Sequence, residues 1–175
     1  MPLLNPDGYE YSRPPCSRSA PDCRVNTRKN RRETCYNARG WPIEKLSGVD
    51  NNRNFPKFWQ AMSTLCEETY GGENPFSEPE TKAVKEYLDE LRSNIQIVAA
   101  LDVHSYGPLI VLPDDDPEEE TNYEKEEILS VGQAMADSIS QFDDEVIYEV
   151  GLPMDTVGYR AGGTAVDYWF YNLGD

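Results

Sequence analysis

The apolar stretch "IQIVAALDVH" at residues 95–104 constrains the fold most strongly. Its small and branched side chains predict a β-strand covered on both faces, and "LIVLP" and "EVIYEVG" predict two shorter strands. At the start of the chain, a strand is predicted to run into an Asn-Pro-Asp-Gly turn at 5–8. The long stretch ends at His104, the only histidine. An imidazole in that position can be a metal ligand, a base or a residue that only fills space, and the stretch alone leaves all three open.

Helical patterns alternate with these strands. Ser77 and Glu80 form a capping box, which predicts a helix that begins at Ser77. Its predicted apolar stripe consists of Val84, Tyr87, Leu88 and Leu91. A second amphipathic helix is predicted over 123–141, and "GGTAVDYWFYNLG" predicts the start of another. The predicted apolar face of the helix over 123–141 consists of Ile128, Val131, Met135 and Ile139. Strands alternating with helices predict an α/β sandwich built around a central sheet.

The charge balance limits the partners. The chain has 32 acidic and 16 basic residues and a formal net charge of −16, so its field repels nucleic acid. The basic run "RKNRR" at 28–32 is therefore interpreted as a local anion site or as solvated surface. The acidic run "DDDPEEE" at 114–120 lacks the ligand spacing of a calcium loop and is predicted to be solvated. No apolar segment is long enough to predict a membrane span.

Four cysteines lie at positions 16, 23, 35 and 66, without the spacing of a zinc or redox motif. Three pairings are open, and the sequential one is Cys16–Cys23 with Cys35–Cys66. Disulfides would fasten the long aperiodic loop at 12–48 and would indicate an oxidising compartment, either extracellular or of the secretory or lysosomal kind. Free thiols in a cytosolic protein are the alternative.

Seven short motifs follow one another along the chain: "NPDGYEY" at 5–11, "RKN" at 28–30, "VDNNRNF" at 49–55, "ETYGG" at 68–72, "SEPET" at 77–81, "HSY" at 104–106 and "YRAGGTAVDYW" at 159–169. In this order and spacing they resemble the zinc carboxypeptidases of the carboxypeptidase A/B family. The resemblance implies a mixed central sheet with helices on both faces, a three-layer sandwich truncated at both ends. The resemblance therefore predicts that residues 1–175 are a partial catalytic domain, with a disulfide-tied loop at 12–48 and an acidic loop at 114–122.

The resemblance assigns chemistry to particular residues. His104 takes the place of the third zinc ligand, and Asp50 that of the carboxylate that orients a zinc-bound histidine. Arg28 takes the place of the arginine that holds the oxyanion. Asn52 and Arg53 match the pair that grips the terminal carboxylate of a peptide, an anion that suits a bidentate guanidinium.

The same resemblance predicts the substrate pocket. Tyr159 matches a mobile tyrosine that closes over the substrate, and Tyr106 a tyrosine that lines the subsites. A cis peptide bond is expected between Ser105 and Tyr106. In the family, the residue seven positions after the closing tyrosine forms the floor of the pocket for the C-terminal side chain. That residue is Val166 here, and the neighbouring Ala165 is the other possibility. Neither is charged, which predicts a preference for hydrophobic C-terminal residues.

Parts of the family's site have no counterpart in the chain. A catalytic zinc ion needs three protein ligands, and the family's His-x-x-Glu ligands and its general-base glutamate would lie beyond the two ends. The whole protein is therefore expected to be a monomeric exopeptidase with one zinc ion that acts on peptide C-termini. The 175-residue chain alone is expected to be inactive. The alternative is a relative that binds peptide C-termini without catalysis.

Overall fold

The computed structural model describes residues 3–13, 27–60, 64–116 and 122–173. The chain forms two compact units. The first unit contains Met1–Val98 and Gly162–Asp175, and the second contains Ala99–Ala161. None of the described helices is long and apolar enough to cross a membrane.

The first helix, α1, spans Pro6–Ser12 and replaces the predicted turn. Asn5 caps it, because its Oδ1 accepts a hydrogen bond of 2.9 Å from the backbone N–H of Gly8. Pro6 stands at the first helical position, where its missing N–H costs nothing. The turn prediction was wrong because the same asparagine and proline also begin a helix well.

The second helix, α2, spans Pro79–Arg92 and confirms the predicted helix, but not its capping box. Glu78 occupies the N-cap position and makes no side-chain cap hydrogen bond. The hydroxyl of Ser77 instead donates to Oε1 of Glu78 at 2.8 Å. The helix therefore begins two residues later than predicted. Of the predicted apolar stripe, Val84 and Leu88 pack on the core, whereas Tyr87 is exposed.

The core of the first unit is aromatic and joins distant parts of the chain. Phe55 and Tyr168 are buried with their ring centroids 5.6 Å apart, and Phe76 packs against both rings. Tyr168 lies on helix α5, Ala165–Leu173, which confirms the helix predicted from the glycine pair. Thr164 caps this helix, because its Oγ1 accepts from the N–H of Asp167 at 3.2 Å.

The predicted disulfide Cys35–Cys66 is present, with Cα atoms 4.9 Å apart. The predicted pair Cys16–Cys23 lies outside the described residues. Buried Lys29 fastens the same loop, since its Nζ donates to the carbonyl oxygens of Leu46 at 2.6 Å and Glu67 at 2.8 Å. Burial lowers the pKa of the Lys29 ammonium.

The second unit is built on two short parallel strands. Strand β1, Leu109–Val111, pairs with β2, Glu149–Gly151, and confirms the two shorter strand predictions. Helix α3, Asn122–Ser140, connects them and agrees with the predicted helix within a residue at each end. A short helix α4, Pro153–Thr156, follows β2 and was not predicted.

Helix α3 packs on the two strands through Gly132. A Cβ at this position would lie 2.7 Å from Cγ1 of Val150 and 3.2 Å from Cδ2 of Leu112. The glycine lowers the helix propensity of α3, but the absence of a side chain lets the helix lie close to Val150 and Leu112 at this point. Val131, predicted on the apolar face, is exposed.

The strand predicted over 95–104 is not observed, and within the described ranges these residues have no ladder partner. Val98 and Leu101 are 88% and 68% exposed, so the prediction of burial on both faces was also wrong. Hydrophobicity indicates that a segment should be covered, but a strand also needs a neighbouring backbone to pair with.

Candidate functional site

A buried carboxylate organises the polar cluster of the first unit. Asp50 is 2% exposed and caps a 3₁₀ turn over Asn51–Arg53. Its Oδ1 accepts from the N–H of Asn52 at 3.1 Å, and its Oδ2 lies 2.5 Å from Nε of Arg28. One carboxylate therefore positions both a guanidinium and the turn that carries Arg53.

Close backbone contacts hold Arg53 from two sides. Any Cβ at Gly71 or at Gly163 would collide with the carbonyl oxygen of Arg53. Gly163 also has a φ of +73°, which favours glycine. The Nη1 of Arg53 donates to the carbonyl oxygen of Asn52 at 2.6 Å. The glycines of two separate motifs thus allow the chain to pass tightly around this arginine.

The turn is tied directly to the predicted pocket floor. The side-chain oxygen of Asn52 accepts a hydrogen bond of 2.8 Å from the N–H of Ala165, the first residue of α5. Val166 is the next residue and is half-buried. The neighbouring carboxylate of Asp167 is buried and accepts from the hydroxyl of Thr164 at 2.6 Å within the helix cap.

The second unit carries the remaining predicted site residues. Nε2 of His104 lies 2.7 Å from Oδ2 of Asp102, and the histidine side chain is 48% exposed. Histidines that bind metals typically engage a carboxylate through the other ring nitrogen, and Asp102 matches that arrangement. The predicted cis peptide bond between Ser105 and Tyr106 is confirmed. Tyr106 and Tyr159 are exposed.

Asp102 was missed by the sequence reasoning, although a signal for it existed. Side chains two residues apart in an extended segment lie on the same side of the backbone. An Asp-x-His pattern at the end of an apolar stretch therefore predicts that the two side chains can meet.

The start of the acidic run is not solvated as predicted. Asp114 is 5% exposed, and its Oδ2 lies 3.5 Å from Nε of Arg160. Asp115 pairs with Lys125 at 2.8 Å. Two basic side chains thus pair with Asp114 and Asp115, which explains how the start of this run can approach the protein interior. Residues 117–121 lie outside the described ranges.

The described residues do not by themselves fit a zinc ion. Among them, no three His, Cys, Asp or Glu side chains lie close enough to hold a metal ion. His104 and Asp102 form a pair, whereas a catalytic zinc site uses three protein ligands and a water molecule.

The structure thus brings together four of the predicted site residues in the first unit, namely Arg28, Asp50, Asn52 and Arg53. Ala165 joins them through its backbone. The second unit holds His104, Tyr106 and Tyr159. Its histidine has a carboxylate partner.

Comparison with known proteins identifies relatives for the whole chain. A sequence profile described as zinc carboxypeptidase matches residues 1–175. A zinc carboxypeptidase of Simulium vittatum is 32% identical over 179 residues, which cover 100% of this chain and 52% of the relative. Carboxypeptidase B2 of Homo sapiens is 35% identical over 179 residues, which cover 99% of this chain and 37% of that protein. The chain therefore spans about half of the length of the first relative and less than half of the length of the second.

Solved structures agree with the sequence relatives. Carboxypeptidase A from Helicoverpa armigera superposes with a TM-score of 0.74 at 31% identity, covering 98% of this chain and 38% of that one. Bovine thrombin-activatable fibrinolysis inhibitor, solved with a tick carboxypeptidase inhibitor, gives a TM-score of 0.73 at 32% identity, covering 99% and 53%. These matches confirm the predicted α/β carboxypeptidase-like fold.

Proposed function

Because this chain belongs to the zinc carboxypeptidase family, we propose that the whole protein is a zinc-dependent exopeptidase that releases single amino acids from peptide C-termini. One observation carries the proposal. A single buried carboxylate, Asp50, contacts both Arg28 and the turn that presents Asn52 and Arg53. We call Asp50, Arg28, Asn52 and Arg53 together the Asp50 frame. It carries two guanidinium groups, which are suited to bind two oxygen-rich groups of one substrate at a fixed separation.

Each residue of the frame has its own task. Arg53 and Asn52 bind the terminal carboxylate, since a planar guanidinium can pair with both of its oxygens. Arg28 lies at the scissile carbonyl and stabilises the negative charge that develops on its oxygen. Asp50 keeps the Arg28 side chain in place through the 2.5 Å contact to Nε. Because the guanidinium is planar, this contact also orients its two Nη atoms. Such a frame restricts cleavage to the last residue.

His104 supplies one zinc ligand in the whole protein, and Asp102 fixes the orientation of its ring through the 2.7 Å contact. Further ligands and the general base must come from other residues, because one histidine cannot hold a catalytic zinc ion. The 175-residue chain alone should therefore neither retain zinc nor hydrolyse peptides. Tyr106 lines the peptide-binding subsites, and Tyr159 closes over the bound substrate.

The pocket for the terminal side chain is uncharged. Val166 or Ala165 forms its floor beside Asn52, to which Ala165 is hydrogen-bonded. The nearest carboxylate along the chain, Asp167, is buried in the cap of α5 with Thr164. The protein should therefore prefer hydrophobic C-terminal residues over basic ones.

The Cys35–Cys66 disulfide supports an oxidising location, extracellular or within the secretory or lysosomal system. In that location the whole protein would act as a monomer on peptides and proteins. A relative that binds peptide C-termini without cleaving them would share the Asp50 frame, and the experiment below separates it from an enzyme.

The experiment measures zinc content and amino-acid release by the purified whole protein. Peptides that differ only in their last residue, Phe, Leu, Lys or Arg, serve as substrates. We expect one zinc per molecule and faster release of Phe and Leu. Val166→Asp should shift the preference toward Lys and Arg, whereas the exposed control Val131→Asp should not. Binding without release would favour the non-catalytic relative, and faster release of Lys would contradict the hydrophobic pocket.

A further inference from the structure

Glu78 is a buried charge to which the proposed chemistry assigns no task. Its side chain is 1% exposed. Its Oε2 accepts a hydrogen bond of 2.8 Å from Nδ2 of Asn30. Its Oε1 accepts from Nη1 of Arg32 and from Oγ of Ser77, each at 2.8 Å. Burying a carboxylate in this way is costly, and an apolar group of the same size often gives equal or greater stability. A reason other than stability is therefore needed for its presence.

The first contact of Glu78 leads to the segment of Arg28. Asn30 is buried, and its Oδ1 accepts from the N–H of Val49 at 2.8 Å. The N–H of Asn30 donates to the carbonyl oxygen of Val49 at 2.8 Å. Val49 directly precedes Asp50. Asn30 therefore aligns the backbone that carries Arg28 with the backbone that carries its carboxylate partner.

The second contact leads to the segment of Arg53. The N–H of Glu78 donates to Oδ1 of Asn54 at 3.2 Å, and the hydroxyl of Thr81 donates to the same oxygen at 2.6 Å. Asn54 is fully buried and directly follows Arg53. Its Nδ2 lies 2.7 Å, 3.0 Å and 2.9 Å from the oxygens of Gly71, Asn74 and Ser77, and its two N–H groups are shared among them. The side chain after Arg53 is thus held by a complete set of hydrogen bonds.

We propose that Glu78 is a positioning residue that sets the spacing of the two substrate-binding arginines, acting through Asn30 on Arg28 and through Asn54 on Arg53. The inference rests on the proposed function of those arginines. Glu78 touches no substrate itself. Its carboxylate binds Asn30 directly and reaches Asn54 through the hydroxyl of Ser77, which accepts from Nδ2 of Asn54 and donates to Oε1 of Glu78. A change in these contacts therefore displaces both arginine segments relative to each other.

The test variant is Glu78→Gln in the whole protein. Its amide replaces one acceptor oxygen by an N–H₂ group, so that a donor faces the donors of Asn30 or of Arg32 and Ser77. A displacement of about 1 Å at a substrate group can cost about 100-fold. We expect KM for a peptide ending in Phe to rise by at least about tenfold.

A matched control removes another carboxylate that contacts Arg32 and leaves the hydrogen bonds of Glu78 intact. Glu73 Oε1 accepts from Nη2 of Arg32 at 3.0 Å, and its side chain is 65% exposed. Glu73→Gln should leave KM unchanged, because exposed ion pairs contribute little.

A second variant restores the hydrogen bond between positions 30 and 78 with its donor and acceptor exchanged. In Asn30→Asp/Glu78→Gln, one oxygen of the carboxylate introduced at position 30 still accepts from the N–H of Val49. The other oxygen accepts from the amide introduced at position 78. The donor and acceptor of the 2.8 Å contact are exchanged and the net charge is retained. This double variant should bring KM back to within about threefold of wild type, a difference of under about 1 kcal/mol. Asn30→Asp alone places two carboxylates together, so its KM should stay above the wild-type value.

The readout separates positioning from mere destabilisation. Partial unfolding lowers the number of active molecules and hence Vmax, with KM unchanged, whereas a misplaced Arg53 raises KM. A misplaced Arg28 lowers kcat as well, so KM is the quantity that distinguishes positioning from destabilisation. Calorimetric binding of N-acetylphenylalanine, which needs no turnover, should weaken in parallel. A cleaving wild type with unchanged KM and affinity in Glu78→Gln would overturn this inference and leave the proposed function intact. A wild type that binds N-acetylphenylalanine but cleaves nothing, with weaker binding in Glu78→Gln, would overturn only the proposed catalysis. A wild type that neither cleaves nor binds would overturn both.

Discussion

Replacing Asp50 by Asn tests the frame at its centre. The change keeps the shape of the side chain and an acceptor for the N–H of Asn52. It removes the charge that faces Nε of Arg28 at 2.5 Å and can place an N–H₂ group there. Arg28 should then leave its position, while the turn over Asn51–Arg53 should remain.

The magnitude follows from burial. A hydrogen bond to a charged group contributes about 1.5–3 kcal/mol. The Arg28 side chain is 33% exposed, so water replaces part of the lost contact, and we expect the free energy of unfolding to fall by about 1–2 kcal/mol. Removing a donor to a developing oxyanion costs about 100- to 1,000-fold in kcat. Because Arg28 is displaced rather than removed, we expect about 100-fold for Asp50→Asn.

The assays are urea unfolding followed by tryptophan fluorescence and steady-state kinetics on a peptide ending in Phe. Asp89→Asn is the matched control, because Asp89 lies at the same 2.5 Å from Nζ of Lys85 but both side chains are exposed. The control should behave as wild type in both assays. If Asp50→Asn retained wild-type kcat, Asp50 would not position Arg28 for catalysis, and the reasoning would be refuted.

Three further predictions concern stability. Joint replacement of Cys35 and Cys66 by Ser opens a loop of 31 residues and should lower the free energy of unfolding by about 3–4 kcal/mol in urea titrations; an unchanged midpoint would contradict this. Gly132→Ala should lower it by about 1 kcal/mol, because overpacking against Val150 costs about 1–3 kcal/mol and exceeds the gain of about 1 kcal/mol in helix propensity; a more stable variant would show that the helix and sheet adjust freely. Burial raises the pKa of Tyr168 above its usual 10.0. Its folded form therefore binds the proton more tightly, and this stabilising contribution is present below pH 10 and lost as the pH rises through the raised pKa. Tyr168→Phe should lose less stability than wild type between about pH 9 and about pH 11, and an equal loss would contradict the assignment.

Elements with strong local signals could be predicted from the sequence. Helix α5 was predicted from its glycine pair and apolar residues, and α3 from its periodicity. The start of α2 could not be predicted, because tertiary contacts with Asn30 and Arg32 hold the Glu78 carboxylate where it accepts from the Ser77 hydroxyl. The strand predicted over 95–104 needed a partner backbone, which a pattern of apolar residues cannot provide.

The site shows the same division. The motifs predicted Arg28, Asp50, Asn52 and Arg53, and the structure brings the four together. The motifs did not indicate that Asp50 contacts Arg28, because that contact joins residues 22 positions apart. Asn30 and Asn54 likewise look like ordinary polar residues in the sequence, and only their burial beside Glu78 distinguishes them.

The most direct test of the central claim compares hydrolysis of one peptide as its C-terminal acid and as its C-terminal amide, by the wild-type whole protein and by Arg53→Ala. If Arg53 grips the terminal carboxylate, wild type should cleave the acid about 100-fold faster, the equivalent of about 3 kcal/mol. Arg53→Ala should then lose most of that preference. Equal cleavage of acid and amide by wild type, or an equal loss on both substrates in Arg53→Ala, would contradict the account.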